Sequence, residues 1–135
     1  MKLDYLQALK RVDEARGAWI MQGQEPLLEQ NLLDAFRASW QKQEIERQRH
    51  DISNVNDWKN VFNALNSLSL FSSQLAVEVH GNIKPDASTL KQLKSYIQHN
   101  EQNLLLVVMP KQDNNSLKSS FFQLIDANGV NVALT

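Results

Sequence analysis

The sequence contains no cysteine, three prolines and four glycines in 135 residues, and no apolar run approaching a membrane span. Without cysteine there is no disulfide framework, no thiol nucleophile and no zinc cluster. Crossing a bilayer takes roughly 18–20 consecutive apolar residues, and every hydrophobic run here is far shorter. The opening residues, Met1-Lys2-Leu3-Asp4-Tyr5, mix charge and polarity and lack the apolar region of a signal peptide. The expectation is a cytoplasmic domain. An excess of one charge is also missing, since 14 Lys+Arg stand against 15 Asp+Glu for a formal net charge of -1. That balance disfavours a protein whose main work is gripping phosphate backbones.

What is present is enough for a folded core. Hydrophobic residues make up 42% and charged residues 21%, which excludes wholesale disorder. The length suits one domain, with no repeat or low-complexity segment, so residues 1–135 read as a single unit.

The apolar pattern alternates between helix and strand periods. Leu3, Leu6 and Leu9 predict a short amphipathic helix, and Ala18-Trp19-Ile20-Met21 a compact strand broken by Gly23. Pro26 stands where a first helical turn tolerates it, ahead of a stripe of Leu28, Leu32, Ala35, Phe36 and Trp40. A polar extended segment runs from Glu44 to Ile52. Trp58, Val61, Phe62 and Leu65 follow at helical spacing, then an alternating strand ending at His80-Gly81. Leu90, Leu93 and Ile97 mark a further helix, Leu104 to Met109 a continuous apolar strand. Leu117, Phe121, Leu124 and Ile125 mark a last helix, and Val130 to Leu134 a final strand. Strand–helix alternation predicts a three-layer α/β domain with a five-stranded parallel sheet. The apolar strands around Ile20 and Leu106 belong in its middle, and the polar strand around Arg47 at an edge.

A glycine between a first strand and a helix is where a phosphate-binding loop would sit. The signature GxxxxGK[ST] needs backbone N–H groups, a lysine and a hydroxyl. From Gly23 the chain reads Gly23-Gln24-Glu25-Pro26-Leu27-Leu28-Glu29-Gln30. Leu28 replaces the second glycine, Glu29 the lysine and Gln30 the hydroxyl, while Pro26 removes an N–H. The metal-holding carboxylate expected at the end of a central strand is missing from Val108-Met109-Pro110. An NTP-hydrolysing P-loop domain is the alternative that these substitutions disfavour. A phosphoacceptor domain fails likewise, because Gln22-Gly23 and His80-Gly81 stand where it needs acids.

His50, His80 and His99 fall on separate elements without metal-ligand spacing. Arg47-Gln48-Arg49-His50, flanked by Glu44, Glu46 and Asp51, reads as a solvated edge strand more than a nucleic-acid patch. No metal, cofactor or catalytic group is expected. One stretch breaks the local rules: Ser67-Leu68-Ser69-Leu70-Phe71-Ser72-Ser73 places three large apolar residues among hydroxyls where a polar loop belongs. They either staple the loop to the core or stand exposed as anchors for a partner's pocket. As anchors, a buried Leu and Phe would each contribute about 1.5–3 kcal/mol.

The segments Met21 to Glu29, Asn56-Asp57-Trp58 and Leu68 to Gln74 resemble the N-terminal domain of the delta subunit of bacterial DNA polymerase III. The loop pattern G-x-[DE]-P-[LF]-L and the motif [ML]-S-L-F carry the likeness, which covers about Leu3 to Leu134. It implies an AAA+-like (RecA-like) fold with a degenerate nucleotide site, no catalysis and no cofactor. It implies binding to the β sliding clamp through Leu68, Ser69, Leu70 and Phe71, with Leu70 and Phe71 as an exposed hydrophobic wedge before the third strand. Ser67 to Phe71 also resembles the clamp-binding peptide QL[SD]LF, departing at Ser67 where that peptide has Gln. The family's subunit opens the ring within the replicative clamp loader. It continues into lid and collar domains that contact the gamma/tau and delta prime subunits, so this chain reads as an excised domain.

Overall fold

The computed structural model describes residues 1–66, 74–99 and 102–134. The chain opens with a three-residue strand, β1 (Lys2–Asp4), and a short helix, α1 (Tyr5–Leu9). Then come β2 (Gly17–Gly23), α2 (Pro26–Lys42) and β3 (Glu46–Asp51). They are followed by α3 (Asp57–Asn66), β4 (Leu75–His80), α4 (Ala87–His99) and β5 (Leu104–Pro110). The chain closes with α5 (Asn114–Leu117), α6 (Ser120–Asn128) and β6 (Val130–Leu134).

These strands form a six-stranded sheet in the order β1-β6-β2-β5-β4-β3, and every pairing is parallel. As their composition requires, apolar β2 and β5 lie side by side in the middle and polar β3 lies at an edge. The strand count corrects the expected five. Leu3 is buried in β1, which pairs with β6 through Leu3↔Val132, whereas Leu6 is 65% exposed. The Leu3-Leu6-Leu9 spacing therefore crosses a strand–helix boundary. Asp4 makes that boundary by accepting the Gln7 N–H at 2.8 Å, while the Gln7 side chain accepts the Asp4 N–H at 2.9 Å, a capping box. The expected last helix is likewise two: Leu117 ends α5, and Ser119 caps α6.

Two apolar layers clothe the sheet. On one face α3, α4 and α6 cover Ile20, Val77, Val79, Leu105 and Val107 with Trp58, Phe62, Leu93 and Phe122. Trp58 meets Phe121 edge-on, with ring centroids 6.0 Å apart. On the other face α1 lays Ala8, and α2 lays Leu32, Phe36 and Trp40, over Trp19, Met21, Leu106 and Val132. Alternate residues of one strand feed opposite layers, as the two-residue period demands. Tyr96 of α4 donates its hydroxyl to the Gly17 carbonyl at 3.0 Å, and burial pushes its phenol well above the ordinary range. Among the described residues no helix is long and apolar enough to cross a membrane.

Candidate functional site

The carboxyl end of β2 is where an α/β domain of this kind would cradle a phosphate. Here Gly23 has a different task. A Cβ built on it would lie 2.3 Å from the Leu134 carbonyl oxygen and 2.7 Å from the Leu134 Cβ. The missing side chain lets β2 and β6 approach at Gly23↔Leu134. Pro26 starts α2, Glu25 occupies its cap position, and Glu29 falls in its first turn. Two carboxylates thus stand at the positive end of the helix dipole, favourable for the helix and repulsive for phosphate. Leu27, in the same first turn, is 71% exposed.

The densest electrostatic cluster lies between α2 and the β3–β4 edge. Glu78 is fully buried in β4, on the α2 side of the sheet. Arg37 of α2 donates from Nε and Nη2 to its two carboxylate oxygens, both at 2.9 Å. Arg47 of β3 does the same at 3.1 and 3.2 Å. His80 Nε2 lies 2.8 Å from Glu78 Oε2 and, against a carboxylate that only accepts, carries the proton. Burial would raise the Glu78 pKa, but the bonds from His80, Arg37 and Arg47 outweigh it and hold the carboxyl well below its usual range. Sequence reasoning missed this cluster. Its signal was one acid inside the otherwise apolar Leu75-Ala76-Val77-Glu78-Val79, opposite basic residues of a neighbouring strand.

The remaining polar candidates stay apart. Arg49 pairs with Asp51 of its own strand at 3.2 Å, both largely exposed, as a solvated edge should. His50 meets Gln48 at 3.3 Å and His99 meets the Ser95 carbonyl at 2.9 Å. Among the described residues no group of three His, Cys, Asp or Glu is placed to hold a metal.

Leu68, Ser69, Leu70 and Phe71 lie outside the described residues, and so does their expected exposure. The structure does fix the two ends of that segment. Leu65, near the end of α3, and Leu75, the first residue of β4, are both buried. The Gln74 carbonyl accepts from Glu46 N at 3.3 Å, and Leu75 N donates to Asn103 Oδ1 at 2.9 Å. The chain therefore leaves and re-enters the core at the amino edge of the sheet, opposite the edge that carries Gly23.

A wholly parallel sheet with helices on both faces, a polar edge strand and acids where a phosphate loop would need a lysine define an AAA+-like α/β domain with a degenerate nucleotide site. The chain belongs to the family described as DNA polymerase III, delta subunit, whose sequence profile matches residues 19–134. Among solved structures it is similar to the Bacillus subtilis DNA clamp loader delta protein (YqeN). That likeness has a TM-score of 0.72 at 13% identity, over 96% of this chain and 42% of the other. At such identity the likeness is one of fold, and this chain spans well under half of that protein. The comparison with curated proteins returned no match.

Proposed function

We propose that this protein is the clamp-binding, non-catalytic domain of a clamp-loader delta subunit, acting through Leu68, Ser69, Leu70 and Phe71. The observation that carries the reading is the family match over residues 19–134, within which these apolar residues form a connection between two core-anchored ends. Leu70 and Phe71 enter a hydrophobic pocket on the β sliding clamp as a wedge, Leu68 adds apolar area, and Ser69 keeps the motif's spacing. Inserting the pair stabilises a clamp conformation whose ring interface opens. The shift equals the wedge's differential affinity for that conformation and no more.

Residues 1–135 are, in this reading, one domain of a longer cytoplasmic subunit, in keeping with the 42% of the Bacillus subtilis chain that they cover. Contacts with the gamma/tau and delta prime subunits belong to the parts beyond it, and the clamp-opening role itself involves DNA only indirectly, through the assembly. The acids at the head of α2 support a domain that works without a nucleotide. Calorimetric titration against the sliding clamp of the same organism tests the proposal: saturable binding is expected, with no turnover of Mg²⁺–ATP. ATP turnover above background, or no binding to the clamp, would overturn it.

A further inference from the structure

A second feature, independent of the proposed clamp-binding residues, lies at the carboxyl edge of the sheet, opposite the edge where α3 ends and β4 begins. A cavity of about 470 Å³ opens where β4 and β5 end, between the loop that follows Gly81 and the first turn of α5. Ligands of open parallel sheets gather outside the carboxyl ends of their strands. The floor of this one is hydrogen-bonded through Gln112. Gln112 is buried, and its Nε2 donates to the Asn82 Oδ1 at 3.0 Å and to the Pro110 carbonyl at 2.8 Å. Its Oε1 accepts from the Ser116 hydroxyl at 2.6 Å, and its backbone N–H reaches Gln22 Oε1 of β2 at 3.4 Å.

That network decides what faces a ligand. With the Asn82 carbonyl oxygen committed to Gln112, its amino group is the part left to donate. Lys84 and Lys111 line the same space, joined by Asn115. The one carboxylate in the lining, Asp113, accepts the Ser116 N–H at 2.7 Å through Oδ1 and caps α5. Two ammoniums against one engaged carboxylate leave the wall positive.

We infer that this cavity binds a phosphate oxyanion, held by the ammoniums of Lys84 and Lys111 and by the amide of Asn82. A free phosphate and a phosphodiester of single-stranded DNA share that chemistry, and the test separates them. Amide resonances are followed by NMR while the protein is titrated with pyrophosphate, and separately with an oligothymidylate. Saturable shifts are expected at Asn82, Lys84 and Lys111 to Ser116. The double variant Lys84→Gln/Lys111→Gln should weaken binding about tenfold or more, from the loss of two charge-assisted bonds. Lys91→Gln/Lys94→Gln on α4 should leave it unchanged. Shifts at the same amides from the oligothymidylate, reversed by pyrophosphate, identify a DNA source, and shifts from pyrophosphate alone a free one. The inference is overturned by no saturable shift at these amides, by undiminished binding in the first variant, or by equal losses in both. Lys91, Lys94 and Lys111 are exposed and Lys84 is half-buried, and matched unfolding midpoints establish that the variants are folded.

Discussion

Glu78 is the residue whose chemistry departs furthest from its surroundings. A strand position that Leu or Val would fill without cost instead holds an ion, and burying an ion costs several kcal/mol unless it is well paired. Four bonds from two guanidiniums and one from His80 supply that pairing. Replacing both Arg37 and Arg47 by Ala leaves the buried carboxylate with His80 alone and should cost about 3–5 kcal/mol in denaturant unfolding. Glu78→Gln should cost less, about 1–3 kcal/mol, because the half-buried guanidiniums can turn toward water. The pH dependence follows from the depressed pKa of Glu78. Its folded-state value lies below its unfolded one, so its stabilisation is complete above roughly pH 4–5 and fades as acid carries the pH toward the folded value. The stability gap between wild type and Glu78→Gln should therefore be smaller at about pH 3 than at about pH 7. A gap that stays constant would show that the charge is not what matters.

Gly23 carries a prediction of a different kind. If it serves strand packing, Gly23→Ala forces β6 to move and should destabilise the fold by about 1–3 kcal/mol, read from the unfolding midpoint. A neutral substitution would reopen the view of Gly23 as a relic of a phosphate cradle.

Among the elements, those with long, periodic apolar stripes were legible in the sequence. Pro26 began α2, Gly81 followed β4, and the polar run around Arg47 became the edge strand because its charges have water on the open side. Besides the last helix, which is two, two features escaped the sequence for physical reasons. Three residues of β1 are too few to show a period, and Leu3 owes its burial to pairing with distant β6. The Glu78 cluster needed α2 and β3 to meet over β4, a contact between positions 31 and 41 residues apart. Of the site itself, the acids at the head of α2 were plain from the loop sequence, whereas the purpose of Gly23 depended on where Leu134 lies. The Asp57-Trp58 pair that carried part of the family likeness also acquires a local cause. Asp57 accepts from Ser53 N and Asn54 N, fastening the turn ahead of α3. Trp58 donates its indole N–H to the Ile83 carbonyl at 2.8 Å, tying α3 to the loop after β4. Trp58→Phe should cost about 1–3 kcal/mol by leaving that carbonyl unpaired and thinning the packing on Phe121, as thermal or denaturant unfolding would report.

At the scale of the molecule, two apolar layers clothe the sheet while its ends are left to polar chemistry. The carboxyl edge carries acids at the head of α2 and a lysine-lined cavity beyond β4 and β5. At the amino edge α3 ends and β4 begins, and the sequence between them holds Leu68, Leu70 and Phe71. Large apolar side chains on such a connection either complete the core or wait for a partner, and the two alternatives differ in what their removal costs. The deciding measurement is a calorimetric titration of the Leu70→Ala/Phe71→Ala variant against the sliding clamp, beside its unfolding curve. Clamp binding should be weaker by at least about 2 kcal/mol, with folding stability changed by less than about 1 kcal/mol. A variant that is much less stable yet binds the clamp normally when folded would contradict it.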